Sequence, residues 1–130
     1  MNLTKSPPLL LKIAPDLTDT DIEDIAQVIV DNDSKVDGLI ISNTTVTRPD
    51  SLSSVHAKEA GGLSGAPLTE MSNTVIRKMY SLTKGNVPII GVGGVDSGQE
   101  AWSKVKAGAS LVQVGVGQLN TLINWNSLLL

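Results

Sequence analysis

The sequence predicts an α/β protein in which four parallel strands alternate with helices. Three observations lead to that class. Four short runs, residues 9–14, 38–42, 87–92 and 110–114, are almost continuously apolar and rich in Ile, Leu and Val, as strands covered on both faces are. Helix start and stop signals fill the spaces between them. Such an order of elements requires right-handed crossovers and therefore parallel neighbours. One connection is abnormal: from residue 43 to about 68 neither strand nor strong helix periodicity is present, and Ser, Thr, Gly and Pro dominate. A patternless stretch that long inside a compact domain is usually a functional loop.

The elements follow in order. In the first strand Leu9, Leu11 and Ile13 point one way, and Leu10, Lys12 and Ala14 the other. Thr20 with Glu23 has the spacing of a capping box, and Ile22, Ile25, Ala26 and Ile29 continue it as an apolar helical stripe. Asp16, Asp19, Asp21, Glu23 and Asp24 crowd the helix start, where negative charge complements the dipole; a metal site is the poorer reading. After the second strand and the long loop, Val75, Ile76, Met79 and Tyr80 form another stripe, closed by Gly85 and Pro88. The third strand ends in Gly91-Val92-Gly93-Gly94. A second capping-box pair, Ser97 and Glu100, then leads into Ala101, Val105 and Ala107. The fourth strand ends in Gly115-Val116-Gly117, and Leu119, Leu122 and Ile123 suggest a weaker last helix. Four such units make half of a (β/α)8 TIM barrel, which takes ~250 residues in full. A small doubly wound sheet obeys the same pattern, and periodicity does not separate the two.

Composition excludes several function classes. At 130 residues the chain is one domain, residues 1–130. Its aromatic residues are Tyr80, Trp102 and Trp125, too few for base-stacking platforms, and its net charge of −3 with no basic cluster speaks against nucleic acid. There is no cysteine for a disulfide, thiolate site or nucleophile. The one histidine, His56, lies in a polar loop and reads as solvated, so no metal is expected. No apolar run approaches the ~20 residues of a membrane span. The first fifteen residues match neither a signal nor a transit peptide, so taken alone the chain reads as soluble.

Chemistry is concentrated at strand ends. Lys12 places an amine on an apolar strand, where it either meets an anion or snorkels to water. Asn43, Thr44 and Thr45 directly follow the second strand; their amide and hydroxyls donate and accept, which suits a small polar ring or carboxylate as well as it suits a turn. Gly61-Gly62-Leu63-Ser64-Gly65 lets backbone N–H groups approach a ligand, or serves as a hinge. The glycine clusters around Gly94 and Gly115, with the helix start at Ser97, have the character of a barrel phosphate site. The Gly-Lys-Ser/Thr of a nucleoside-triphosphate loop is absent.

Five blocks, taken together, resemble the quinone-dependent (class 2) dihydroorotate dehydrogenases. They are Lys12-Ile13-Ala14-Pro15-Asp16-Leu17, Asn43-Thr44-Thr45, Gly61 through Gly65 with Pro67-Leu68, Pro88 through Val95, and Ala107 through Gln113. They stand in the family's order and spacing, and residues 76–110 look closer to mitochondrial than to bacterial members. The resemblance implies a (β/α)8 barrel of which this chain is the C-terminal half. It also implies FMN-dependent oxidation of dihydroorotate to orotate in pyrimidine (UMP) biosynthesis, with electrons passed to ubiquinone at the mitochondrial inner membrane. Carried over by position, Lys12, Ser42, Gly65, Gly94, Gly115 and Val116 contact FMN, with Lys12 at the flavin ring, and Asn43 and Thr44 bind the pyrimidine. The family's serine base and its quinone-binding helices belong to an earlier segment, so no catalytic residue is assigned here, and the chain by itself is expected to be inactive. After Gln113 the family has a Tyr-Thr or Tyr-Ser pair where this sequence has Gly115-Val116, so residues 114–130 read as an atypical tail. The alternatives are a non-catalytic half-barrel that binds FMN or another phosphate and self-associates through its exposed edges, and a different phosphate-binding barrel such as an aldolase. The Asn43 and Gly62 blocks count against the last.

Overall fold

The computed structural model describes residues 6–31 and 34–115. The order is β1 (Leu10–Ile13), α1 (Asp19–Val30), β2 (Gly38–Ile41), α2 (Leu68–Leu82), β3 (Ile89–Val92), α3 (Gly98–Ala107) and β4 (Leu111–Gln113). The strands form one sheet in the order β1-β2-β3-β4, every pair parallel. This is the predicted α/β half-barrel arrangement. The weak helix expected at Leu119, Leu122 and Ile123 lies outside the described residues, as does Val116.

Register divides the sheet into two faces. Lys12 is opposite Ile40, Ile40 opposite Ile90, and Ile90 opposite Leu111, so these four share a face. On the other face Ile13, Leu39, Ile41 and Ile89 pack with Ala109 against Ile22, Ala26 and Ile29 of α1, Val75, Ile76 and Met79 of α2, and Ala107 of α3. All three helices therefore cover one side of the sheet. The other side carries half-buried Ile40, Ile90 and Val92 and exposed Leu111.

Three sequence expectations are corrected. The capping box of α1 is Thr18 with Asp21, not Thr20 with Glu23. Thr18 Oγ1 accepts from the Asp21 N–H at 3.2 Å, and Asp21 Oδ2 accepts from the Thr18 N–H at 2.9 Å. Both pairs have the box spacing. The earlier one wins because the helix is already formed at Asp19, which leaves Thr20 inside it. In α3 the middle buried residue is Lys104, fully buried, while Val105 is 40% exposed. At about 100° per residue Lys104 points midway between Ala101 and Ala107, and Val105 lies about 100° away from that direction. Ser97 does cap α3, accepting from the Glu100 N–H at 3.2 Å; the Glu100 carboxylate receives the Ser103 hydroxyl. Tyr80, expected in the core stripe of α2, is 47% exposed. Its ring covers Gly85 and Gly108, and a Cβ at Gly108 would lie 2.5 Å from it.

Candidate functional site

The C-terminal ends of the four strands and the long loop enclose a cleft of about 440 Å³, within the range of roughly 300–1,000 Å³ usual for small-molecule sites. Seven of the eight positions singled out from sequence line it: Lys12, Ser42, Asn43, Thr44, Gly65, Gly94 and Gly115. The eighth, Val116, lies outside the described residues. Ser64, Leu68, Val92, Gly93, Val95 and Gln113 complete the wall. Gln113 was missed, although its register partner Val92 puts it on the inner face and makes it the polar end of β4. Lys12 is the one charged residue in this lining and makes no ion pair among the described residues, so the cleft favours an anion.

Each strand end is tied to its neighbour. The Asn43 N–H donates to Ile13 O at 2.8 Å, and the Ser42 N–H to Val92 O at 3.0 Å. The Ser42 side chain is buried and donates to Asn43 O at 3.0 Å; the Ile41–Ser42 peptide is cis. From α2, Ser72 Oγ donates to Val92 O at 2.7 Å and Thr69 Oγ1 to Gly94 O at 2.9 Å. The turn after β3 needs its glycines. Gly93 and Gly94 have φ of 106° and 67°, and a Cβ at Gly94 would fall 2.1 Å from Thr69 Oγ1 and 2.6 Å from its backbone nitrogen. Backbone therefore lines the cleft just ahead of the α3 N-terminus, where side chains are excluded.

The Asn43-Thr44-Thr45 run is divided by the fold. Asn43 and Thr44 are exposed to the cleft, whereas Thr45 is buried, pairs its backbone with Leu63 and donates its hydroxyl to Asp16 at 2.5 Å. Asp16 also accepts from Thr47 Oγ1 at 3.1 Å and the Val46 N–H at 3.3 Å. Partial desolvation works against its carboxylate, but the hydrogen bonds from Thr45, Thr47 and the local backbone outweigh it and hold the group below the ordinary aspartate range. Asp16 is thus a loop anchor, a role its place in an acidic helix start did not suggest. His56 is exposed, as expected, with Nδ1 2.6 Å from Glu59 Oε1. Among the described residues no three His, Cys, Asp or Glu side chains gather as metal ligands, and no helix is long and apolar enough to cross a membrane.

A parallel β/α sheet with helices on one face and an anion-favouring cleft at its strand ends defines a barrel-type ligand-binding protein. The family model for dihydroorotate dehydrogenase matches residues 1–125, and the chain belongs to that family. It is 56% identical over 108 residues to the dihydroorotate dehydrogenase (quinone) of Rhodospirillum rubrum, a match spanning 83% of this chain and 29% of the relative. The mitochondrial dihydroorotate dehydrogenase (quinone) of Mus musculus is 57% identical over 110 residues, 85% of this chain and 27% of its own length. Among solved structures, the Eimeria tenella dihydroorotate dehydrogenase in complex with ferulenol superposes with a TM-score of 0.85 at 44% identity, covering 93% of this chain and 32% of that one. The chain thus spans less than a third of the length of these relatives.

Proposed function

We propose that the cleft is the cofactor and substrate half of a quinone-linked dihydroorotate dehydrogenase. In that reading FMN lies against Lys12, Ser42, Gly65, Gly94, Gly115 and Val116, and the pyrimidine ring of dihydroorotate meets Asn43 and Thr44. The observation that carries it is the convergence of one cation (Lys12), the amides of Asn43 and Gln113, the hydroxyls of Ser42, Thr44 and Ser64 and a bare glycine backbone in a single cleft, with no carboxylate among the lining residues. FMN, when bound, supplies acceptance of the hydride. The chain's own groups bind and orient. The Lys12 amine attracts negative charge to the flavin side, the Asn43 amide and Thr44 hydroxyl offer complementary donors and acceptors to the ring, and the Gly93–Gly94 backbone approaches a phosphate ahead of α3. Ser42 does not serve as base, because its hydroxyl is buried and donates to Asn43 O. The proton is taken by the serine that the family carries on another segment.

With ubiquinone as acceptor, the whole protein works at the mitochondrial inner membrane, consistent with the mitochondrial names of the mouse, rice and Arabidopsis relatives. A second reading has its own support. Leu10 and Leu111 are 38% and 63% exposed on β1 and β4, so the 130-residue chain by itself would pair with a second copy and hold FMN without turnover. A chimera tests the main reading: residues 7–113 replace the matching segment of the Rhodospirillum rubrum enzyme. Dihydroorotate-dependent quinone reduction within about tenfold of the parent supports the proposal (~1.4 kcal/mol of barrier). A folded chimera with bound flavin and no turnover would overturn it.

A further inference from the structure

The loop between β2 and α2 has no helix or strand, yet it is tightly organised, and one side chain accounts for most of that order. Arg48 Nη1 donates to the carbonyls of Val46 and Thr47 at 3.2 Å each and to that of Thr45 at 3.4 Å. Nε reaches Ala57 O at 3.1 Å, and Nη2 reaches Glu59 O at 2.9 Å and Gly61 O at 2.7 Å. One guanidinium thus joins the outgoing segment 45–47 to the returning segment 57–61. The Thr45–Leu63 backbone pair closes the same junction. Behind it, Asp16 on the chain leaving β1 gathers Thr45, Val46 and Thr47. The returning segment brings Gly62 against Thr44 so closely that a Cβ there would lie 2.1 Å from Thr44 Oγ1.

We infer that Arg48 and Asp16 are positioning residues that hold Asn43 and Thr44 as a preformed, pyrimidine-facing wall of the cleft; this rests on the function proposed above. Asn43 and Thr44 sit between two fixed points. On one side the Asn43 N–H is bound to Ile13 O. On the other is the knot of Thr45, Asp16 and Arg48. Their side chains consequently face the cleft without first having to be ordered, and the entropy of ordering does not fall on the ligand. The flavin side is held by different bonds, those of Ser72 and Thr69 from α2 to the β3 end. Loosening the knot therefore separates the two halves of the site: pyrimidine affinity falls and FMN affinity stays.

The acceptors lie in two segments on opposite sides of the guanidinium, so a forked, planar donor is required. A lysine at this position keeps the charge but cannot reach both sides. The test compares the FMN-loaded wild-type chain with Arg48→Lys and Asp16→Asn. FMN affinity is read from flavin fluorescence, orotate affinity from its perturbation of the flavin absorbance, and loop order from amide hydrogen exchange of the ligand-free chains. The expected result is an orotate Kd raised about tenfold or more in Arg48→Lys, FMN Kd within about twofold, and faster exchange confined to residues 43–63 (a tenfold change is ~1.4 kcal/mol). Asp16→Asn gives the same pattern, less marked, because one of its oxygens is kept as an acceptor. Unchanged orotate affinity despite faster loop exchange overturns the inference, as does an equal loss of FMN and orotate. A wild-type chain that takes up no FMN counts against the function proposed above. In that case exchange at Asn43 and Thr44 decides alone: no acceleration in Arg48→Lys overturns the positioning role, and acceleration confined to the loop sustains it.

Discussion

Lys104 is fully buried under α3, with Nζ 3.3 Å from Asn73 Oδ1 and its stem packed against Gly91 of β3. Burial pushes its pKa down from 10.5 to about 8, against the pull of Glu100 and Glu70 in the other direction. The folded chain therefore releases this proton near pH 8, whereas the unfolded chain keeps it to about 10.5. Between those values the unfolded state binds more protons, so stability rises with pH across that window. Below pH 8 both states hold the proton and stability stays on its lower plateau. At about 1.4 kcal/mol for each tenfold difference in proton affinity, the full rise is about 3 kcal/mol. Lys104→Met keeps most of the packing volume and removes the titration. Urea unfolding of both proteins at pH 7 and pH 10.5 measures it, the variant cancelling the background from other lysines. The stability of wild type relative to Lys104→Met should increase by about 2–3 kcal/mol on going to the higher pH. Parallel pH curves for the two proteins would refute the reasoning, because the amine would then not titrate at a perturbed value.

Three further outcomes follow from the same structure. Thr18→Ala removes the capping box of α1 and should lower stability by about 1 kcal/mol in thermal or urea unfolding, while Thr20→Ala, inside the helix, changes it much less. Gly94→Ala forces a Cβ into Thr69 at a residue with positive φ; it should cost about 1–3 kcal/mol and reduce FMN uptake as the turn shifts. The 130-residue chain by itself, given FMN and a quinone, should show no measurable dihydroorotate oxidation in a dye-reduction assay. A general base is worth about 10²–10⁴-fold, and in the reading proposed above the serine that acts as base belongs to another segment.

Much of this fold is legible in sequence because each strand is a short apolar run that pairs in parallel with the next one along the chain. The apolar runs 38–42 and 87–92 contain the strands Gly38–Ile41 and Ile89–Val92 with one or two residues to spare. The strand-end positions were equally legible, since in a parallel β/α sheet whatever follows a strand comes to the same rim. What was not legible depends on partners far along the chain. Lys104 is buried because Asn73, thirty-one residues earlier, accepts from its amine, and a reading by hydrophobicity preferred Val105. Tyr80 leaves the core because two bare glycines, Gly85 and Gly108, offer its ring a seat outside it. The loop knot was invisible for the same reason. Arg48 binds backbone carbonyls, which carry no residue-type signature, and Asp16 lies in a cluster whose charge already had a local explanation.

The central claim is that the strand-end cleft, with Lys12 as its charge, holds FMN. Titration of FMN into the purified chain, followed by flavin fluorescence and absorbance, tests it most directly. The account predicts saturable binding of one FMN per chain, competed by inorganic phosphate. In Lys12→Met the affinity should fall about tenfold or more, as expected when a charge-assisted contact is lost (~1.5–3 kcal/mol). A chain that takes up no flavin, or wild type and Lys12→Met binding it equally well, would contradict the account.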